Sequence, residues 1–333
     1  MVSTTGMNFY SIRHLTRFRY SRPINESIME ARMHPRSDAL QHCLAFSLSV
    51  SPRCRVFTYR DYMGNNVHHF DIPGDHTQLI IVAESIVEQQ PAPDVPAFLS
   101  PDAWRVLDDM VQGGDYSEML LPSTYAVESP ALLELAAQLE VTRRDDPVML
   151  VHELNQRLFD YFEYVPKHTR VDSPIDHAIE SRKGVCQDFA HTMIALLRHV
   201  GIPARYVSGY LYRSREDHDR STPDATHAWV DVLLPYLGWV GFDPTNNLVA
   251  HHRHIRTAVG RDYADVPPTH GVFRGKTDSE LYVAVHVEAG EKAPALDRNL
   301  PIPEDWSVLV ERAQEPMTPA VPSIEIQQMQ QQQ

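Results

Sequence analysis

The chain of 333 residues carries 44 acidic against 30 Lys and Arg side chains, a formal charge of −14. That balance excludes a protein built to hold nucleic-acid phosphates, which requires clustered basic residues. A hydrophobic content of 43% excludes a chain without a packed interior. The length passes the ~250–300 residues at which single cores stop growing, so about two domains are expected. No apolar run reaches the ~20 residues of a membrane span, and the N-terminal segment lacks the basic lead and apolar centre of a secretory signal. Three cysteines, Cys43, Cys54 and Cys186, are too few and too odd in number for a disulfide framework. The expectation is a soluble, cytoplasmic protein with no membrane or nucleic-acid partner.

Residues 9–20 alternate apolar and polar side chains, the period of a half-buried strand, and 45–50 repeat it. Stretches 56–62, 66–72 and 78–87 follow, separated by the turn formers Ser51-Pro52, Gly64-Asn65-Asn66 and Pro73-Gly74-Asp75. Five short strands punctuated in this way predict an N-terminal all-β domain over residues 1–90, an antiparallel sheet or sandwich. It carries no cluster with chemistry of its own and reads as scaffold or substrate-facing lid. Residues 91–98, with Pro91, Pro93 and Pro96, form a stiff, extended linker.

Beyond residue 98 the period becomes helical. Ser100-Pro101, Ser129-Pro130 and Asp146-Pro147 each place a capping residue before a proline at the first helical position. Leu132, Leu135, Ala136 and Leu139 follow the second signal at helical spacing, and Val151, Leu154, Leu158 and Tyr161 the third. Ser173-Pro174 repeats the signal before a short helix ending near Lys183-Gly184. From residue 289 to 333 the chain turns Pro-, Glu- and Gln-rich, a mostly disordered tail with one short helix around Trp306 to Arg312.

The chemistry lies between Gly184 and Asn247. A helix opening at Cys186 has the apolar face Phe189, Met193, Leu196, Leu197 and Val200, stops at Gly201 and is followed by Pro203. Cys186 therefore sits in a first turn, where unpaired N–H groups and the helix dipole favour a thiolate. Strands follow at 204–212, at 226–234 with His227 near its start, and at 238–242, running into Asp243. Acyl transfer through sulfur needs three roles: a thiolate that attacks, an imidazole that pairs with it and protonates the leaving group, and a carboxylate that fixes the imidazole. Each residue also has an ordinary reading. A helical Cys is commonly a small buried hydrophobe, a His at a strand end is commonly structural, and an Asp before Pro is commonly a turn former, so the pattern alone leaves both readings open.

Gly184-Val-Cys-Gln-Asp-Phe-Ala-His191, Gly201-Ile-Pro-Ala-Arg-Tyr-Val-Ser-Gly-Tyr210, Thr226-His-Ala-Trp229 and Phe242-Asp-Pro-Thr245 together resemble the bacterial transglutaminase-like superfamily of papain-type cysteine enzymes. His14-Leu-Thr-Arg-Phe-Arg-Tyr20, Pro35-Arg36, Asp61-Tyr-Met-Gly-Asn65 and residues 79–88 resemble that group's N-terminal β domain. Residues 260–271 resemble its C-terminal segment, so the resemblance spans about residues 8–288. It implies an α+β fold in which a papain-like core over 99–288 packs its Cys-bearing helix on an antiparallel β-sheet, behind the N-terminal all-β domain. It implies Cys186 as nucleophile, His227 as general base and acid, and Asp243 as the orienting carboxylate, with no cofactor and no metal. The expected reaction forms an acyl-enzyme on Cys186 from a peptide or protein substrate. Water then resolves it, hydrolysing a peptide, isopeptide or side-chain amide bond. The alternatives are acyl transfer from protein glutamine to an amine, or a peptide-binding module without turnover.

Such a site also needs donors for the developing oxyanion. The Cys186 N–H is the natural first; Gln187, Tyr164 and Trp229 are candidates for the second, although a regular helix points Gln187 away. Asp188 and His191 read as supporting residues. His251-His-Arg-His254 lacks the partner set of a metal site and reads as a polar loop close enough to touch substrate. Cys43 and Cys54 read as inert, and Tyr206, Tyr210 and Tyr212 as core or cleft wall. No glycine-rich phosphate loop occurs, so no nucleotide is implied.

Overall fold

The computed structural model describes residues 8–290 apart from Arg215 and Asp224. The alternating N-terminal segments form four strands: β1 (Asn8–Ala31), β2 (Gln41–Ser51), β3 (Val56–Arg60) and β4 (Asn66–Gln89). Helices α1 (Ala103–Gln112), α2 (Pro130–Gln138) and α3 (Pro147–Tyr161) follow, then β5 (Glu163–Tyr164), α4 (Ile175–Ser181), β6 (Lys183–Gly184) and α5 (Cys186–His199). The chain continues through β7 (Ala204–Leu211), β8 (His227–Leu234), β9 (Gly238–Asp243), β10 (Leu248–Val249) and β11 (His254–Gly260). It closes with β12 (Thr269–Arg274) and β13 (Ser279–Gly290). Of the expected 289–333 tail, residues 289–290 end β13; the rest, with the helix expected around Trp306 to Arg312, lies outside the described residues.

β1 and β4 pair antiparallel along most of their length, with β2 and β3 on the far side of β4. The turn expected at Pro73-Gly74-Asp75 is an irregularity inside β4, so the strands expected at 66–72 and 78–87 are one. Pro73 stays paired with Glu26 and Gly74 takes φ +86°, while the register shifts on either side of Ile24. A bulge absorbs residues without ending a strand, and turn chemistry read without the partner strand resembles one. Residues 269–290, grouped with the 99–288 core at the sequence level, return to this first sheet. β12 pairs with β1 at residues 26–31 and β13 pairs with β1 at 9–20. Local periodicity carries no information about which distant strand a segment will join.

The second sheet has the order β10-β9-β8-β7-β11, all neighbours antiparallel. α5 lies between this sheet and α2, α3 and α4, and is buried continuously from Cys186 to Arg198. Phe189, Met193, Leu196 and Leu197 pack in one core with Tyr206, Val230 and Phe242. Ser129 and Asp146 cap α2 and α3 through their side chains, as their spacing predicts. The α+β architecture is therefore an all-β region with a papain-like core, the Cys-bearing helix resting on an antiparallel sheet.

The two sheets meet through Tyr10, Ile12 and Val285 on one side and Tyr210 and Ile255 on the other. The outer edge of β11 is sealed by amide side chains of the first sheet and its loops. Asn65 both donates to Val259 O (2.8 Å) and accepts from Val259 N (2.9 Å). Gln41 does the same for Arg256, at 2.9 and 2.8 Å, and Gln89 donates to His254 O at 3.0 Å. Side chains thus replace a missing strand, because unpaired buried backbone groups are costly.

Since β1 needs β12 and β13 to complete its sheet, a fragment of residues 1–90 is expected to show no cooperative urea transition, whereas residues 8–290 unfold in one or more sharp steps. A sharp transition from the fragment alone would show that the first sheet is autonomous.

Candidate active site

Val185 adopts an extended conformation as the N-cap of α5 but has no side-chain oxygen to offer the helix. The return half of a capping box is present: Asp188 Oδ2 accepts from Val185 N at 2.8 Å and from Thr169 Oγ1 at 2.5 Å. Asp188 thus turns away from the sulfur. Burial raises its carboxyl to about 6, against the pull of those two hydrogen bonds. Gly184 is required by this packing, since a Cβ there would lie 2.7 Å from Asp188 Oδ2. Cys186 then occupies the first helical position, 3% exposed, with an N–H that has no acceptor within the helix.

His227 opens β8 and Asp243 closes β9, one residue past the paired Val230 and Phe242. Antiparallel pairing therefore brings the ends of these strands together, and His227 Nε2 donates to Asp243 Oδ2 at 2.8 Å. That bond assigns the ring, because an ionised carboxylate can only accept. His227 Nδ1 is buried without a well-aligned hydrogen bond and approaches Cys186 closely enough for the sulfur to raise its proton affinity. A loose thiol–imidazole contact is common before substrate binds. A carboxylate on Nε2 is the reverse of the serine-protease arrangement, in which the carboxylate holds Nδ1.

Asp243 is fully buried and accepts five hydrogen bonds. Oδ1 takes the backbone N–H groups of Thr245 (3.0 Å) and Asn246 (3.3 Å). Oδ2 takes Asn246 Nδ2 (2.8 Å) and His254 Nε2 (3.2 Å) besides His227. Burial opposes its charge, yet His227 and His254 hold the carboxyl far below the usual carboxylate range. Burial would also strip the proton from His227, but the Asp243 charge and hydrogen bond, joined by Cys186, raise that imidazole well above its ordinary value. His254 is lowered, because burial outweighs what Asp243 returns, and it serves as a neutral donor.

His254 is the site residue that sequence reasoning misplaced. His251 and His252 are exposed as a polar loop should be, but His254 is the buried first residue of β11. The available signal was the alternation that begins at His254-Ile255, masked by the polar run before it. His227, Asp243 and His254 offer ligand atoms within 4.8 Å of one another, a spacing a metal ion could also use. The donors already aimed at Asp243 account for the cluster as a hydrogen-bonded one.

Trp229 underlies the site, 6.1 Å from the His227 ring and 5.1 Å from that of His254. It fits because Gly209 and Gly241 face it: a Cβ at Gly209 would meet its ring at 2.6 Å. Of the three candidates for a second oxyanion donor, Trp229 is thus buried beneath the imidazoles, and Gln187 Nε2 is committed to Val171 O at 2.8 Å. Tyr164 remains. Pairing of β5 with β6 sets it opposite Gly184, and its hydroxyl meets Thr222 Oγ1 at 3.0 Å. Burial raises its phenol and the neighbouring Cys186 raises it further. His191 accepts from Tyr263 N at 3.1 Å and is held neutral by burial, a supporting role. Cys43 and Cys54 are both raised by burial, as inert thiols are.

A cavity of about 220 Å³ reaches His227, walled by Leu211, Arg213 and Thr222 on one side and Val285, His286 and Val287 on the other. A larger one, about 560 Å³, runs beside Tyr161, Tyr164 and Arg182 and touches the site only through Tyr164. The smaller cavity thus borders His227, the larger one Tyr164.

Comparison with known proteins agrees with this architecture. Residues 10–88 match the bacterial transglutaminase-like N-terminal region and residues 135–244 the transglutaminase-like superfamily. An uncharacterized protein of Mycobacterium leprae is 33% identical over 275 residues, 82% of this chain and 96% of that protein. A protein-glutamine gamma-glutamyltransferase of Pseudomonas aeruginosa is 35% identical over 111 residues, 30% of this chain and 16% of that protein. The crystal structure of a candidate cysteine protease from Cytophaga hutchinsonii overlays with a TM-score of 0.65 at 22% identity, covering 90% of this chain and 93% of its own. The fold and the matched regions define a thiol-enzyme class. The chain belongs to the transglutaminase-like superfamily, with the bacterial N-terminal region ahead of the core.

His227 holds its proton more tightly folded than unfolded, so its share of the ion pair is complete below about pH 6.5 and fades as pH rises toward the raised folded value. Asp243 contributes above about pH 4 and loses that share only on acidification toward its lowered value. In a Cys186→Ala background, Asp243→Asn is therefore expected to cost about 2 kcal/mol more at about pH 5.5 than at about pH 9 in urea unfolding. Equal costs at both pH values would remove the ion pair from the account.

Proposed function

We propose that the protein is a cofactor-independent thiol hydrolase of amide bonds, with Cys186 as nucleophile, His227 as base and acid, and Asp243 as the group that orients His227. The observation that carries this is one imidazole joined through Nε2 to a buried carboxylate and close enough to Cys186, at a helix N-terminus, for the sulfur to raise its proton affinity. The Cys186 thiolate adds to the carbonyl carbon of a peptide, isopeptide or glutamine carboxamide. The oxyanion is met by the Cys186 N–H and the Tyr164 hydroxyl. Collapse breaks the C–N bond as His227 Nδ1 passes its proton to the nitrogen, which leaves as amine or ammonia. Water, deprotonated by His227, then attacks the thioester, and the acid departs with the thiolate restored.

Water is favoured as the second nucleophile because Cys186 and His227 are only 3% and 2% exposed. A small molecule reaches so recessed an acyl–sulfur bond more readily than a lysine side chain. The second reading, transfer to an amine, has its own support in the local similarity to the Pseudomonas glutamyltransferase.

Iodoacetamide is expected to label Cys186 ahead of Cys43 and Cys54 at about pH 6, and His227→Ala to slow that labelling by roughly tenfold to hundredfold. Glutamine-containing casein is expected to release ammonia or new amino termini without taking up a fluorescent primary amine. Amine uptake with little free ammonia would make the protein a transferase. A Cys186 that resists iodoacetamide throughout would make it a binding module instead.

A further inference from the structure

β13 pairs with β1 on one side, and no other strand pairs with it among the described residues. The register shows where its backbone groups point. Ser21 N donates to Asp278 O at 2.9 Å, one step beyond the pair Tyr20–Ser279. Antiparallel pairs alternate between bonded and non-bonded, so Arg17–Tyr282, Leu15–Ala284 and Arg13–His286 are bonded pairs. Thr16–Val283, His14–Val285 and Ile12–Val287 are the non-bonded ones. The N–H and C=O of Val283, Val285 and Val287 therefore face away from β1, and none has a further backbone partner among the described residues; Val285 is buried beneath the second sheet, whereas Val283 and Val287 are part-exposed. Val285 and Val287 are also the residues that wall the cavity reaching His227.

Exposed strand edges are a liability that proteins usually block. In this molecule the outer edge of β11 is blocked by Asn65, Gln41 and Gln89, whereas the edge of β13 has no such partner among the described residues at Val287, which is part-exposed and lines the cavity.

We propose that an extended segment of the peptide substrate binds as an added strand on the unpaired edge of β13, bonding to the backbone N–H and C=O of Val287 and so delivering its carbonyl to Cys186. Main-chain bonds hold the peptide whatever its sequence, and side chains alternating off the added strand meet the cavity walls. This rests on the thiol-enzyme reading and adds the substrate's conformation: a flexible or unfolded segment rather than a side chain on a folded surface.

The test compares labelling of Cys186 by iodoacetamide and by tetra-alanine chloromethyl ketone. Val287→Pro deletes one outward N–H that the β1 ladder does not use, a position where an edge strand tolerates proline. It is expected to slow labelling by the peptide about threefold to tenfold, the worth of one net hydrogen bond. Iodoacetamide labelling should fall far less than labelling by the peptide, since that small reagent makes no main-chain bond. In the wild type, N-methylating one peptide amide should slow labelling while methylating its neighbour does not, since only alternate amides of the peptide face β13. This second arm decides the matter even if the proline variant unfolds. Indifference of the rate to N-methylation at every position would overturn the added strand while leaving the thiol enzyme intact. A wild-type Cys186 silent to iodoacetamide would sink both.

Discussion

The Asp243 carboxylate is the interaction on which the rest of the site depends. A buried charge without partners costs several kcal/mol, and this one is enclosed completely, so its five donors are requirements of folding. The five donors come from three local structures. His227 brings the start of β8, Thr245 and Asn246 bring the turn after β9, and His254 brings the start of β11. Asn246 extends the set, since its Oδ1 accepts from Arg220 N at 2.8 Å and Ser221 N at 3.3 Å in the segment that walls the cavity. One oxygen pair thereby fixes the proton position on His227 and the wall of that cavity together.

The N-terminal sheet enters the chemistry through β11. Gln89 and Gln41 grip the backbone of His254 and Arg256, and His254 reaches Asp243. Val285 and Val287 of the same sheet line the cavity. The first sheet, completed by β13, thus stands beside the candidate site. It furnishes one side of the cavity and steadies the strand behind the carboxylate.

Much of this was legible in the sequence because the signals are local. Ser129-Pro130 and Asp146-Pro147 announce helices through caps that any reader of the chain can see, and Cys186, His227 and Asp243 stand at element ends that periodicity marks. What was hidden is non-local. Pro73-Gly74 reads as a turn until β1 is laid beside it, and residues 269–290 read as part of the core until their partner is known. His254 was hidden because a buried polar residue looks like a loop residue when its partner is 11 positions away. Asn65 and Gln41 were hidden for the same reason: an amide that substitutes for a strand carries no periodicity.

The return of β12 and β13 to β1 also sets an order of events on the ribosome. A chain grows from its N-terminus at ~5–20 residues per second, so β1 emerges well before the strands at 269–290 that complete its sheet. The helical core between them can close around α5 first, although it is made second. Meanwhile β1, 24 residues long, waits with its outer edge unfilled. The nascent protein therefore passes through a stage at which β1 is exposed before its partners exist, and a chaperone holding that strand would meet the need at the point of greatest exposure.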